Sequence, residues 1–117
     1  MVVRWLLLAE TALFGAAALA HAGVLMSGFE HARARNAESV IAMVLAVGLA
    51  STWLAPSRAG GIGLGAQGFA LLGTLVGISM IVIGRGPRTA FDLILHAVML
   101  ALLTFGLIAA GRVASAA

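Results

Sequence analysis

Four apolar stretches, each about as long as a membrane-spanning helix, fill most of this 117-residue chain. A spanning helix needs about 20 mostly apolar residues. Residues 2–26, 37–55, 62–83 and 89–111 have this character. Because 62% of the residues are hydrophobic and only 9% are charged, a soluble domain of this size has too little interior to bury them. The sequence therefore predicts one integral membrane domain with four spans, in contact with the lipid bilayer.

The links between the stretches are short and contain charge, proline or glycine: SGFEHARARN, PSRAGG and GRGPR. Short links place successive helices antiparallel, so we expect an all-α, up-down four-helix bundle. We call the membrane side of the N-terminus side A and the opposite side side B. Trp5 and Trp53 then both lie near side A, at the interface that indole rings prefer. The arginines are divided almost evenly between the sides, which leaves the orientation open. We expect a bacterial cytoplasmic membrane protein.

The first stretch has a second interpretation. Its basic start, apolar middle and small residues around Ala20 and Ala22 are also typical of a secretory signal peptide. Glu10 falls inside what would be the apolar core of that peptide, which favours a first membrane span.

Several functions are disfavoured by what the sequence lacks. There is no cysteine, which excludes disulfides and thiolate metal sites, and all seven basic residues are arginines. The arginines stand singly or in pairs without interleaved aromatic residues, so we expect no nucleic-acid partner. No nucleophile or phosphate-loop motif is present, and the glycines of AGGIGLGAQG do not follow a strand. The chain is therefore not expected to be an enzyme.

Polar residues from different spans are predicted to meet in a layer near side B. With a rise of about 1.5 Å per residue, His21, Asp92 and His96 lie about 6 to 12 Å in from side B. Glu38 lies near the same edge on the second span. Ionisable residues inside a membrane usually face the interior of the bundle. We therefore expect His21, Glu38, Asp92 and His96 to form one polar layer.

This layer has three interpretations. Asp92 and His96 stand one helical turn apart and, with His21, offer nitrogen and oxygen ligands for a divalent metal. Alternatively, His21 and His96 on neighbouring spans are axial ligands of a haem b. The simplest alternative is a hydrogen bond between Asp92 and His96 at a helix N-terminus, with Arg88 as counter-charge.

A second polar layer is predicted nearer side A, where Glu10 is the deepest acid. Gln67 and Thr104 fall at a similar depth on the third and fourth spans. An acid at this depth is expected to be a proton carrier or a cation site. The alternative is a protonated Glu10 that joins helices by hydrogen bonds to Gln67 or Thr104. Glu10 and His21 share a face of the first span, because eleven residues make about three turns.

The third span carries small-xxx-small pairs, Gly61 with Gly65 and Gly73 with Gly77. Such pairs allow another helix to approach closely. If Gln67 faces the bundle centre, this glycine face points towards a second copy or a partner membrane subunit. Packing against a neighbouring helix of the same chain is the alternative.

The segment LLLAETALFG, around Glu10, resembles the first span of the small multidrug resistance transporters. That family also has four short spans in a chain of similar length, and it pairs two copies. The resemblance implies that Glu10 is a proton-linked substrate site. The chain departs from the family in having no tyrosine. Asp92 and His96 also have no counterpart in the family pattern.

Three functions follow from these patterns. The first is proton- or cation-coupled transport of a small solute, with Glu10 as the deep titrating group. The second is a structural accessory subunit of a larger membrane complex. The third is a redox subunit that binds haem b or a metal through His21 and His96.

Overall fold

The computed structural model describes all 117 residues as four α-helices without strands: α1 Val2–His21, α2 Ala32–Leu54, α3 Ala59–Val82 and α4 Ala90–Ser115. All four helices are long and apolar enough to cross a membrane. The predicted four-helix fold is thereby confirmed. Each helix packs against the helices before and after it, and α4 returns to pack against α1. The molecule measures 45 × 25 × 16 Å, and its long dimension matches the thickness of a bilayer with headgroups, about 40–45 Å.

The first two helices differ from their predicted limits. α1 ends at His21 instead of continuing to residue 26, because the chain turns at Gly23, which has a φ of +77°. α2 begins at Ala32, five residues before the predicted start. The ring of His31 accepts a hydrogen bond from the Ala34 amide and caps this N-terminus. The charged residues at the end of this link predict a loop, whereas they form the first turn of α2 because His31 caps it.

A turn leads into α3, and a side chain from the following link closes its C-terminal end. A 3-10 turn, Pro56–Arg58, leads directly into α3. After α3 the chain turns at Gly84, and the Arg88 guanidinium donates to the carbonyls of Ile81 and Val82. Arg88 therefore caps the end of α3 and is not the counter-charge of Asp92 that the sequence suggested.

α1 is the central helix of the bundle, with nine buried residues that include Glu10 and His21. Its own Phe14 packs in the same apolar core as Leu45 on α2 and as Met99 and Leu103 on α4. Many large apolar side chains on the other helices point outwards, where lipid would cover them; Leu72 is 66% exposed. The helices are thus largely apolar outside, while Glu10, His21, Glu38 and Asp92 are buried inside, as a membrane-embedded bundle requires.

The N-terminus of α1 meets the C-terminus of α2 at side A. The Arg4 guanidinium lies 4.2 Å from the ring centroid of Trp53 and donates to the backbone carbonyl of Thr52. Trp5 and Trp53 are both largely exposed at this end. Arg4 thereby satisfies a terminal carbonyl of α2.

The predicted glycine face of α3 is divided by the structure. A Cβ built on Gly61 or Gly65 meets nothing, so this pair faces outwards. A Cβ on Gly73 would lie 2.6 Å from Ile41, and one on Gly77 would lie 3.1 Å from His96. The single face predicted from the sequence is therefore wrong. Because four residues turn a helix slightly beyond one full turn, the two pairs drift apart around α3.

Candidate functional site

His21, the last residue of α1, bonds to carboxyl groups from two other helices. Its Nδ1 lies 2.7 Å from Oε2 of Glu38 on α2, and its Nε2 lies 2.8 Å from Oδ1 of Asp92 on α4. His21 and Asp92 are each 1% exposed and Glu38 is 6% exposed. We call these residues the side-B triad. It joins α1, α2 and α4 where they approach side B.

The Asp92 end of the triad is fixed by the start of α4. Thr89 is the N-cap, and its hydroxyl accepts from the Asp92 amide and donates to the Asp92 carboxyl group. The Thr89 amide donates to the same carboxyl oxygen, Oδ2, at 2.9 Å. This capping box satisfies orphan amides of the helix and holds the side chain in place. Because Oδ2 accepts two bonds from Thr89, Asp92 is a fixed acceptor for the Nε2–H of His21.

The Glu38 end of the triad contains one shared proton. A neutral imidazole has a single N–H, and we assign it to Nε2 because Asp92 is already held as an acceptor by Thr89. The 2.7 Å contact between Nδ1 and Glu38 therefore needs a second proton, either on the ring or on the carboxyl group. The other oxygen of Glu38 accepts no hydrogen bond from the protein. The geometry of the Glu38–His21 contact is thus compatible with a proton on either side chain.

Aromatic rings cover the triad. Phe91 packs edge-on against the His21 ring at a centroid distance of 6.4 Å, and Phe29 packs against Phe91 at 5.2 Å. Phe29 belongs to the link between α1 and α2. These rings pack over the imidazole, whose side chain is 0% exposed.

His96 does not join the triad. Its Nδ1 lies 2.7 Å from the backbone carbonyl of Asp92, one turn earlier on α4. A carbonyl oxygen only accepts, so Nδ1 carries the hydrogen and the neutral ring has a free lone pair on Nε2. The expected local hydrogen bond between Asp92 and His96 is therefore present, but it uses the Asp92 backbone carbonyl, because the Asp92 carboxyl group is taken by Thr89 and His21.

The geometry does not favour the metal and haem interpretations. No group of three or more His, Asp or Glu side chains has the arrangement that holds a metal ion. Both ring nitrogens of His21 are hydrogen-bonded to carboxyl groups, which leaves none for a metal or an iron atom. Since His96 faces a different part of the bundle, His21, Asp92 and His96 do not form a ligand set.

Glu10 forms a second buried polar contact with Gln67. The Gln67 amide nitrogen lies 3.0 Å from both carboxyl oxygens of Glu10, and both residues are 0% exposed. The Gln67 amide oxygen is the one buried side-chain polar atom without a partner. No basic side chain forms an ion pair with Glu10; the ion pairs of the chain are those of His21. We call Glu10 and Gln67 the central pair.

Gly106 makes room for the central pair. A Cβ at this position of α4 would collide with both Gln67 Nε2 and Glu10 Oε1. Thr104, expected beside Glu10, is exposed on the outer surface of α4 instead. Thr104 is thus not part of the Glu10 site, and the bare backbone at Gly106 takes its place.

A cavity of about 250 Å³ opens beside the triad. Its lining comes mainly from α2, α3, α4 and their side-B links. Glu38 and His96 line its wall, and Phe14, Ile41 and Met99 line its deeper part. Residues of the side-B ends lie around the mouth, including His31, Arg33 and Arg85. Glu38 therefore belongs both to the triad and to the cavity wall.

Several residues of the site escaped sequence reasoning. The spacing of Thr89 and Asp92 is that of a capping box, a signal that could have placed the start of α4 and the role of Asp92. Nothing comparable marks Gly106, Arg33 or Arg85. Their roles depend on which helices face each other, and the spacing of polar residues does not specify this.

No protein-family model matches the chain, and no curated protein or solved structure is significantly similar to it. The resemblance of residues 6–15 to the small multidrug resistance transporters stays a hypothesis. The geometry of the triad, the central pair and the cavity is the basis for a proposed function.

Proposed function

We propose that this membrane protein binds a small solute in the side-B cavity and couples its movement to a proton held by the Glu38–His21 contact. The observation that supports this is the double position of Glu38, which bonds to His21 and lines the cavity. A charged group of a ligand in the cavity would lie next to Glu38 and would therefore change the affinity of the Glu38–His21 contact for its proton. In such a low-dielectric setting this interaction is stronger than it would be in water.

The central pair provides a second proton site along the same helix. Glu10 and His21 share a face of α1 and are about three turns apart. An unpaired carboxylate is costly to bury, so Glu10 is held as the neutral acid unless a cation or a conformational change compensates its charge. We propose that a proton alternates between the side-B triad and Glu10 as the solute crosses the membrane.

The proposal is tested with the protein in liposomes that enclose a pH-sensitive dye. Three solutes of similar size are added outside in turn: benzenesulfonate, benzyltrimethylammonium and benzyl alcohol. The two ions keep their charge at all relevant pH values, so they carry no proton by passive permeation. At least one solute should change the internal pH faster than in protein-free liposomes. Rates equal to those of protein-free liposomes for all three solutes would contradict the proposal.

Two variants connect this flux to the site. Glu38→Gln removes the titrating group of the triad and should abolish the solute-driven pH change. Glu30→Gln makes the same substitution at an exposed acid of the α1–α2 link on the same side of the membrane, and it should behave as the unmodified protein. Equal fluxes for the two variants would show that Glu38 has no coupling role.

A structural accessory subunit is the second candidate function, because the same contacts also tie helices together. The triad joins α1, α2 and α4, and the central pair joins α1 to α3. The open pair Gly61 and Gly65 leaves a smooth strip on α3 for a second copy or a partner subunit. This function predicts that the variants above change stability and assembly while no solute moves a proton.

A further inference from the structure

We propose that the ligand of the side-B cavity is a small amphipathic anion, with its charged group at the mouth and its apolar body inside. This inference deepens the proposed function, on which it rests, by naming the chemical class of the solute. It is carried by the arrangement of two unpaired arginines around the mouth of an apolar cavity.

The mouth of the cavity is positively charged. Arg33 lies in the first turn of α2, and Arg85 lies in the link between α3 and α4. Both line the cavity, and neither guanidinium group forms a hydrogen bond or an ion pair within the protein, whereas those of Arg4 and Arg88 are bound to carbonyls. A guanidinium group binds a carboxylate, sulfonate or phosphate through paired N–H bonds. The N-terminal end of α2 adds a partial positive charge beside them.

The deeper part of the cavity is apolar. Phe14, Ile41 and Met99 line it. By residue rise, these positions lie roughly 10–15 Å from the side-B ends of their helices. The volume of about 250 Å³ exceeds the roughly 150 Å³ of an engineered protein cavity that binds benzene. A phenyl ring or a short alkyl chain therefore fits inside, while its anionic group remains at Arg33 and Arg85.

The polar groups on the wall set the orientation of the ligand. His96 presents a lone pair on Nε2, and Glu38 presents an oxygen without a hydrogen-bond partner in the protein. Both repel an anion from the interior and accept a hydrogen bond from any hydroxyl group on the apolar body. A cation would favour Glu38 but would first have to pass the two arginines.

Anion binding also predicts the direction of proton movement. The charged and titratable groups around Glu38 are His21 on α1, Asp92 and His96 on α4, His31 and Arg33 at the start of α2, and Arg85 in the α3–α4 link. A negative charge added at the mouth favours the form of the triad that carries one more proton. The ligand and a proton should therefore bind together and cross in the same direction.

The binding test uses benzenesulfonate and the full-length protein in nanodiscs of uncharged phosphatidylcholine, followed by titration calorimetry. The protein should bind benzenesulfonate at least tenfold more tightly than benzyl alcohol. The double variant Arg33→Gln with Arg85→Gln should weaken benzenesulfonate binding at least tenfold. Arg35→Gln is the matched control, because Arg35 lies only two residues after Arg33 on α2 and is bonded to Asn36 instead of lining the cavity. Equal affinity for the anion and the alcohol, or equal losses in the double variant and the control, would overturn the inference.

The two natural sources of such an anion are distinguished by the lipid. In nanodiscs containing phosphatidylglycerol, the apparent affinity for benzenesulfonate should be weaker if a lipid headgroup occupies the site. In the arginine double variant, phosphatidylglycerol should then no longer weaken the binding of benzenesulfonate. An unchanged affinity identifies a soluble small anion. Both results support an anion site.

The same samples separate this inference from the proposed function. Proton uptake on adding benzenesulfonate is followed with a pH indicator in weakly buffered solution. Binding of benzenesulfonate without proton uptake would support the anion site and contradict the proposed proton coupling. Absence of benzenesulfonate binding, with proton movement driven by another of the three solutes, keeps the coupling and contradicts the anion site.

Discussion

His21 Nδ1 lies 2.7 Å from Glu38 Oε2, and this contact joins the end of α1 to the start of α2 across the ten-residue link between them. The His31 amide donates to the His21 backbone carbonyl at 2.9 Å, so the same link also closes through the main chain. The imidazole is thereby fixed by both its backbone and its ring. A group held so firmly can change its protonation state without changing its position.

Removing the imidazole should destabilise the bundle strongly. His21→Ala leaves Glu38 and Asp92 buried without their common partner, and breaking a buried ion pair costs about 3–5 kcal/mol. The measurement is the free energy of unfolding in mild detergent. His31→Asn serves as control because asparagine keeps the capping function at the start of α2. Unfolding of the two variants at the same denaturant concentration would show that the triad contributes no net stability.

The capping box at the start of α4 should be needed to hold Asp92 in place. Thr89→Ala removes the N-cap hydroxyl and is expected to cost about 1 kcal/mol of stability. Thr89→Ser retains the hydroxyl and should stay close to the original protein. The ring resonances of His21, observed by NMR, should change in the alanine variant and not in the serine variant. Unchanged His21 resonances in both would contradict the role assigned to Thr89.

The central pair should not tolerate a side chain at Gly106. Gly106→Ala places a methyl group against Glu10 and Gln67, and such overpacking costs about 1–3 kcal/mol. Gly15→Ala introduces the same change at a helical glycine of α1 whose Cβ would meet nothing. The thermal midpoint in detergent should fall for Gly106→Ala and stay constant or rise for Gly15→Ala. Equal midpoints would show that the central pair does not fill this space.

The open half of the glycine face should control any association of the chain through α3. Gly65→Leu blocks close approach of another helix, and its side chain points away from the bundle, so the fold should survive. Ala101→Leu adds the same bulk at an exposed position of α4 as a control. The number of chains per liposome-embedded particle should fall in the Gly65 variant alone. Identical numbers in both variants would remove α3 as an association surface.

The fold was predictable because it follows from properties summed over many residues. Four apolar stretches of spanning length and short links determine four antiparallel helices. Helix limits were less predictable, since they depend on single side chains such as the capping ring of His31 and the positive φ of Gly23. A charged segment is equally compatible with a loop and with a first helical turn.

The depth of the site residues in the membrane was predictable from the sequence, but the direction in which their side chains point was not. Residue rise alone placed His21, Glu38 and Asp92 in one layer, and the structure brings these side chains together. The rotation of each helix about its axis determines which way a side chain points. Thr104 points outwards, and His96 points to the cavity wall. Each residue along a helix corresponds to a rotation of about 100° about the axis. The composition of an apolar helix hardly determines which face turns towards the core, because lipid and core are both apolar.

The most direct test of proton coupling is ¹⁵N NMR of the His21 ring in nanodiscs, with and without benzenesulfonate. The two other histidines are removed from the spectrum by His31→Asn and His96→Gln. We predict that the ligand shifts the resonance of Nδ1, which faces Glu38, far more than that of Nε2, which keeps its hydrogen and its bond to Asp92. Under conditions where the ligand is bound, an unchanged Nδ1 resonance, or a shift at Nε2 alone, would contradict it.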